Sequence, residues 1–479
     1  MSYDFYASLH GKSKDDVNAV VAGQRGNTQI TDIATRIQLL TGIAATGEKD
    51  YAISGDRHNG GGYKSLVHHE QPQKSIYAQK LIVAEQQRLN QLGLLKPAPS
   101  TMTMLPLGAI FLQFDFTLAT PYLSKDDEPF YMTESVNPVR KDKVFKVPMI
   151  AASSWKGALR WATMQNHLVM NAQDLSIEEF AAKRFSLALL FGDEKGEEWD
   201  KPDDVAKFLN DLKPDAMPRY RQMVQKHFMV HEPKFMPYHR GRLFCYPTFF
   251  NLIDIEVINP HSRKTKAGTQ PIYLESVPTG ATGTFTLLYV PLDRIGQDEA
   301  ETRAQVATDL TLVAEGVQTM FTLYGFGAKT SSGFGLAKEQ LTGGTLLLNH
   351  PDSGGSQRPS RPVEPTPPPQ PPELRTYLAE FPNEDFTLKP DEWRKRRSAT
   401  NSQREAYKAA RGARSDYLKA LADHQQALAR YQAEVAAWES VANTPQPPQM
   451  ERTFTDFAQL VEQAQTVAKA VCQEQGGAA

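Results

Sequence analysis

The run Pro365-Thr-Pro-Pro-Pro-Gln-Pro-Pro372 limits this chain more than any other feature. Each proline lacks an amide donor and fixes its own φ, so the run takes an extended polyproline form and cannot enter a core. The chain is therefore expected to divide there. Residues 350–373 read as a semi-rigid linker, with a domain over 99–349 before it and a further region over 374–479 after it. In that last region, 401–441 is rich in Ala, Gln, Glu, Arg and Leu with almost no glycine, which predicts one long helix or a helical hairpin. A second helix is expected over Asp456–Cys472, after the break at Thr444–Pro448.

Upstream, residues 1–98 are polar and weakly patterned, with helical spacing at Ile30–Ala45 and Ser75–Leu95. Between them the Gly/His-rich piece Asp56–Gly62 reads as a loop. From Leu105 the texture changes. Ala109–Ala119 alternates apolar and polar residues and stops at Thr120-Pro121, as a strand does. Further strands are expected at Val144–Ile150, Leu243–Tyr246, Ile253–Ile258, Ile272–Val277 and Thr284–Val290. Helical patterns fall between them at Ser154–Leu168, Ile177–Leu190 and Glu299–Tyr324. Strands and helices mixed without regular alternation predict an α+β domain running to Asn349, with a helical N-terminal extension and a helical C-terminal region.

No apolar run approaches the roughly 20 residues of a membrane span, so no membrane partner is expected. The opening residues lack the layout of a signal peptide. Cys245 and Cys472 stand in no metal-ligand spacing. Together these point to the cytoplasm. A net charge of −2 argues against a bulk polyanion binder, but the charge is segregated. Asp193, Glu194, Glu197, Glu198, Asp200, Asp203 and Asp204 form an acidic stretch, and Arg219, Arg221, Lys226, Lys234, Arg240 and Arg242 a basic one.

Four segments carry chemistry. In Val147–Arg160 a strand ends, small residues turn, and a helix begins where Ser153 or Ser154 can cap it. Its first amides form an anion site to which Lys156 and Arg160 add charge. In Gly325–Gly335, the glycines Gly325, Gly327 and Gly333 interleave with Lys329, Thr330, Ser331 and Ser332, so backbone amides can approach a polyanion. This loop fails the P-loop pattern, whose first glycine would fall at Leu323, and it fails G-x-G-x-x-G at Thr330. A nucleic-acid backbone is then the better ligand. The third segment, Asp254–Lys266, offers Asn259, His261, Arg263 and Lys264 to phosphate, sugar or base edges. In the fourth, 219–242, Tyr220, Phe228, Phe235 and Tyr238 alternate with the cations, a pattern suited to stacking bases or to a half-buried core.

Together these segments resemble the RAMP superfamily. Its helix-start motif Pro-x-Ile-x-x-Ser-Ser-x-Lys-Gly-x-Leu-Arg is matched by Pro148 through Arg160, and its glycine loop by Gly325 through Gly335, in the expected order. Asn259-Pro260-His261, Pro271-Ile272 and Val277-Pro278-x-Gly280 resemble the Cmr-type subunit that caps the 3′ end of a guide RNA. The resemblance covers about residues 105–345. It implies a ferredoxin- or RRM-like domain with insertions that grips CRISPR guide RNA within a type III effector ribonucleoprotein of antiviral defence. The implied partners are guide RNA, target RNA through the guide, and other complex subunits, with no cofactor.

Slicing members of the superfamily carry a catalytic Asp ahead of Asn-Pro-Val. Here Asn137-Pro138-Val139 is preceded by Val136, which can neither ligate a metal nor take a proton. Asp126, Asp127 or Glu134 of the same loop are the candidate substitutes and would need a divalent metal to cut. The leading expectation is a non-catalytic guide-binding subunit. A metal-dependent endoribonuclease cutting target RNA or processing guide precursors, the latter also without metal through His239 or His261, and a protein-interaction scaffold stand as alternatives.

Overall fold

A computed structural model describes residues 11–53, 61–99, 102–126, 136–232, 234–261, 264, 267–268, 271–349, 365, 370–371, 386–442 and 450–473. The expected loop at 56–62 and the linker at 350–373 thus fall largely outside the described residues. The chain forms two compact units: Met1–Ser353 together with Pro447–Ala479, and Gly354–Gln446.

The first unit is built on β1 (Ile110–Thr117). Its alternation sends Leu112, Phe114 and Phe116 to one face and Gln113, Asp115 and Thr117 to the other. After β1 come β2 (Val136–Asn137), β3 (Met149–Ile150) and the helices α4 (Ala152–Met164), α5 (Ile177–Phe191), α6 (Asp204–Leu212) and α7 (Met217–His227). Next are β4 (Leu243–Cys245), β5 (Thr248–Phe249), β6 (Asp254–Ile258), β7 (Ile272–Ser276), β8 (Thr282–Tyr289), helix α8 (Glu299–Thr319) and β9 (Gln340–Leu348). Strand β10 (Met450–Asp456) completes an antiparallel sheet of order β10-β9-β1-β8-β4. Leaving out the edge strand and the insertions, the path is β1-α4-β4-β8-α8-β9 with the fourth strand beside the first. Strand β7 pairs antiparallel with β6 and parallel with β2, and β3 pairs with β5.

Helices cover the apolar face. Phe114 meets Phe285, Phe321, Phe454 and Phe457, while Phe116 meets Trp155, Phe250, Phe321 and Phe326, all with ring centroids within 6.1 Å. Each such pair adds about 0.5–1.5 kcal/mol beyond burial. Trp155 is fully buried and its indole N–H donates to Thr248 Oγ1 at 2.9 Å, so its polar edge is satisfied.

The N-terminal helices α1 (Lys14–Ala22), α2 (Ile33–Thr46) and α3 (Val83–Gln91) are part of this same unit. Ser13 and Asp16 form a capping box on α1, and Asp32 caps α2. Their apolar residues join the main core, and the Tyr77 hydroxyl donates to the Lys146 carbonyl at 2.7 Å. The polar extension therefore adds core as well as surface.

Several expected elements come out differently. Residues 144–147 form no strand, because Asp142 accepts the amides of Val144 and Phe145 and Lys146 turns to φ 58°. Strand β10 lies inside the region expected to be helical. It is a polar edge strand with only Phe454 buried, followed by α11 (Phe457–Gln473), which packs on α8. Residues 450–473 hence belong with the sheet. Strand β9 contains Gly343 and Gly344 at a bulge, and a Cβ on Gly344 would lie 2.3 Å from the Phe454 carbonyl oxygen.

In the second unit, α9 (Pro390–Arg397) and α10 (Asn401–Ala442) share a small core. Trp393 stacks on Tyr407 at 4.4 Å, and the Tyr407 hydroxyl donates to the Leu388 carbonyl. Among the described residues no helix is long and apolar enough to cross a membrane.

Candidate nucleic-acid interface

The start of α4 and the glycine loop meet. Phe326 of the loop sits 4.7 Å from Trp155 of α4, ring to ring, and both pack on Phe321. The loop closes on the segment after β1: Ala328 N–H donates to the Leu123 carbonyl at 2.7 Å, and Gly335 N–H to that of Pro121 at 2.9 Å. Phe326 N–H bonds the Gly335 carbonyl and closes the loop neck. The glycines serve this closure. A Cβ on Gly325 would meet the Phe334 carbonyl oxygen at 2.7 Å, and one on Gly327 the Leu123 carbonyl oxygen at 2.4 Å. Gly333 meets nothing within 4 Å and is required only by φ +82°.

Outward from this neck, Lys329, Ser331, Ser332 and Gly333 are exposed and Thr330 half-buried. Lys329 adopts φ 59°, and the amides of Lys329, Thr330 and Ser331 have no acceptor among the described residues. Consecutive free amides beside a cation suit an anionic oxygen.

On Gly335 a Cβ would lie 1.9 Å from the Phe326 carbonyl oxygen, at φ +75°. Gly335→Ala is therefore expected to open the loop neck and cost about 1–3 kcal/mol. Gly333→Ala, with open space around it, should cost less. Chemical denaturation of the two variants checks that order.

At the start of α4 the cap is Ala151, with no side-chain hydrogen bond, so neither Ser153 nor Ser154 caps the helix. Both lie inside it and are exposed, because the turn at Ile150–Ala151 already gives the extended entry that a cap residue supplies. Ser153, Lys156, Gly157 and Arg160 share one helix face by their spacing. Lys156 is half-buried and has no carboxylate partner among the described residues. Burial lowers the pKa of its ammonium, Arg160 and Arg240 push the same way, and Cys245 and Asp193 oppose them. An added anion would relieve that crowding of charge. Arg160 is instead anchored in the fold: it donates to the carbonyls of Gly192 and Asp193 and lies over the Phe191 ring.

The basic stretch 219–242 also divides. Helix α7 buries Tyr220 and Arg221, and the Arg221 guanidinium stacks 4.2 Å from the Trp199 ring while donating to the Trp199 carbonyl. Arg242 is 3 % exposed and bridges Asp293 and Asp309. Arg219 and Arg240 remain exposed, with Arg240 over Phe244 at 4.7 Å. Of the aromatics, Phe235 and Tyr238 are exposed at 43 % and 84 %, leaving them free to stack on a base.

Asn259, His261 and Lys264 are exposed toward the end of the β6–β7 hairpin, where His261 bridges Gly268; Arg263 lies outside the described residues. Asp126 accepts from Lys143 at 3.4 Å, whereas Asp127 and Glu134 lie outside the described residues. Val136-Asn137 form β2 beside β7, and the chain just beyond them is held by the buried pair Lys141–Glu275. Sequence reasoning did not foresee Cys245, which flanks Lys156 and whose thiol burial pushes up to about 12. A half-apolar strand end gives no signal of that role.

The model of the RAMP superfamily matches residues 115–338. No curated protein sequence matches the chain. Among solved structures, a chain from the cryo-EM structure of the Type III-B Cmr-beta bound to cognate target RNA is 12% identical. That likeness covers 72% of this chain and 99% of the other, with a TM-score of 0.35. A chain of a CRISPR RNA-guided surveillance complex in a pre-nicking state is also 12% identical. It covers 60% of this chain and 89% of the other, with a TM-score of 0.27. The helix-start motif and the glycine loop both lie inside the span that the RAMP superfamily model matches, residues 115–338.

Proposed function

We propose that the chain binds CRISPR guide RNA as a non-slicing backbone or capping subunit of a type III effector complex. It would contact target RNA through the guide and pack against other subunits. The observation that carries this reading is the Trp155–Phe326 contact, which seats the glycine loop against α4. Two cations, Lys156 and Lys329, are then presented on elements that touch, and a phosphodiester backbone supplies anions at regular spacing. The βαββαβ path, with its fourth strand beside its first, supports a ferredoxin-like reading of the domain. A non-slicing role is supported by Val136 at the position of the catalytic Asp and by the engagement of Asp126 with Lys143.

Phosphate gripping predicts a strong salt dependence. For single-stranded RNA the logarithm of affinity should fall with that of salt by about 0.7 per phosphate neutralised. Four such contacts would weaken binding about fifty-fold from roughly 50 to 200 mM salt. Fluorescence anisotropy with a labelled RNA measures this slope, and an affinity indifferent to salt contradicts the proposal.

A further inference from the structure

We infer that the groove between α5 and α7 receives one nucleotide of an RNA strand, its base on Phe185 and Met223 and its phosphate on Arg219 and Lys226. This rests on the RNA-binding reading above and extends it to the inserted helices. A cavity of about 410 Å³ opens there, lined by Phe185, Arg219, Gln222, Met223, Lys226 and His227. That volume lies within the range of small-ligand clefts. Arg219, Gln222, Met223 and Lys226 recur at three- and four-residue spacing, so α7 presents them as one face. Phe185 comes from α5 across the groove, with the His227 ring against it at 5.4 Å and 71°. His227 is fixed in turn by Asp293 at 3.1 Å, which leaves one wall of the groove rigid.

The charge of the groove selects its occupant. Arg219 and Lys226 are exposed and neither has a carboxylate partner among the described residues, since Arg219 donates only to Gln222. An anion is therefore favoured. Phe185 and Met223 add a half-buried apolar floor, which a carboxylate peptide would leave uncovered and a planar base would cover. Another cavity, of about 250 Å³, is lined by Asp193, Glu194, Glu197 and Glu198 and would repel a phosphate. The groove also adjoins the α4 site through a chain of contacts. Phe228, next to His227, packs on His239 at 4.6 Å, and Arg240 follows His239 and acts on Lys156.

The test is photocrosslinking of the full chain to a single-stranded RNA of about twelve nucleotides carrying 4-thiouridine, mapped by mass spectrometry of tryptic peptides. Crosslinks are expected in Phe185–Lys195 and Gln222–Lys226. Phe185→Ala should abolish them and weaken binding about tenfold. Arg219→Ala/Lys226→Ala, at exposed positions that leave the fold intact, should reduce the salt slope by about 0.7, the share of the one phosphate they hold. Crosslinks confined to α4 and the glycine loop, with the double variant binding as wild type, would overturn the groove and leave the RNA-binding reading standing. No crosslink and no RNA affinity at all would overturn that reading as well.

Discussion

Arg242→Met is expected to destabilise the first unit by about 3–5 kcal/mol at neutral pH, the cost of leaving a buried charge without its partner. Arg242 donates to Asp309 Oδ2 at 2.6 Å and to Asp293 Oδ1 at 2.8 Å, and Asp309 is fully buried. The Tyr289 hydroxyl and Gln305 still donate to Asp309 in the variant, which places the loss at the lower end. Acid should narrow the gap. Burial raises the Asp309 pKa and Arg242 opposes it, so without Arg242 the carboxyl is penalised above the ordinary carboxylate range and relieved once protonated. Burial also pushes Asp293 up, but hydrogen bonds from Arg242 and His227 outweigh it and hold Asp293 well below that range. The stability Asp293 contributes is present above its unfolded pKa and is lost as pH falls below it, so wild type loses more than the variant on acidification. Adding Asp309→Asn to Arg242→Met should restore part of the loss at neutral pH. Urea unfolding of the single and double variants at neutral and acidic pH measures both effects. Equal stability of wild type and Arg242→Met would contradict this account.

The second large effect is on binding. Lys156→Ala/Lys329→Ala should weaken single-stranded RNA binding about a hundredfold or more, at about 1.5–3 kcal/mol for each charge-assisted phosphate contact. Neither side chain holds the fold through a carboxylate partner among the described residues, so melting should change little. Each replacement should also lower the salt slope by about 0.7. Arg160→Ala should behave differently. Its guanidinium bonds the Gly192 and Asp193 carbonyls, so its removal costs stability before it costs affinity.

That contrast shows what could be read in advance. The helix at Ala152–Met164 and the glycine loop were legible because their residue types recur at fixed spacing within a few turns of chain. The strand at Ile110–Thr117 was legible because its alternation is clean. The fates of the cations were not. Arg160, Arg221 and Arg242 look like Lys156 and Arg240 in a string of letters, and their difference lies in partners 22 to 67 residues away. Strand β9 hid behind its glycines and β10 behind its polar edge, since both depend on a neighbour strand for their conformation. Ser153 and Ser154 suited a cap by type, but the helix begins one residue ahead of them. The α5–α7 groove exists only after two helices pack.

The most direct test of guide binding is to sequence the RNA that co-purifies with the chain when it is expressed beside its native neighbouring genes. The account predicts short RNAs sharing a repeat-derived end, retained by wild type and lost in Lys156→Ala/Lys329→Ala. Assembled partners with no RNA on the wild-type chain, or RNA kept unchanged by the double variant, would contradict it.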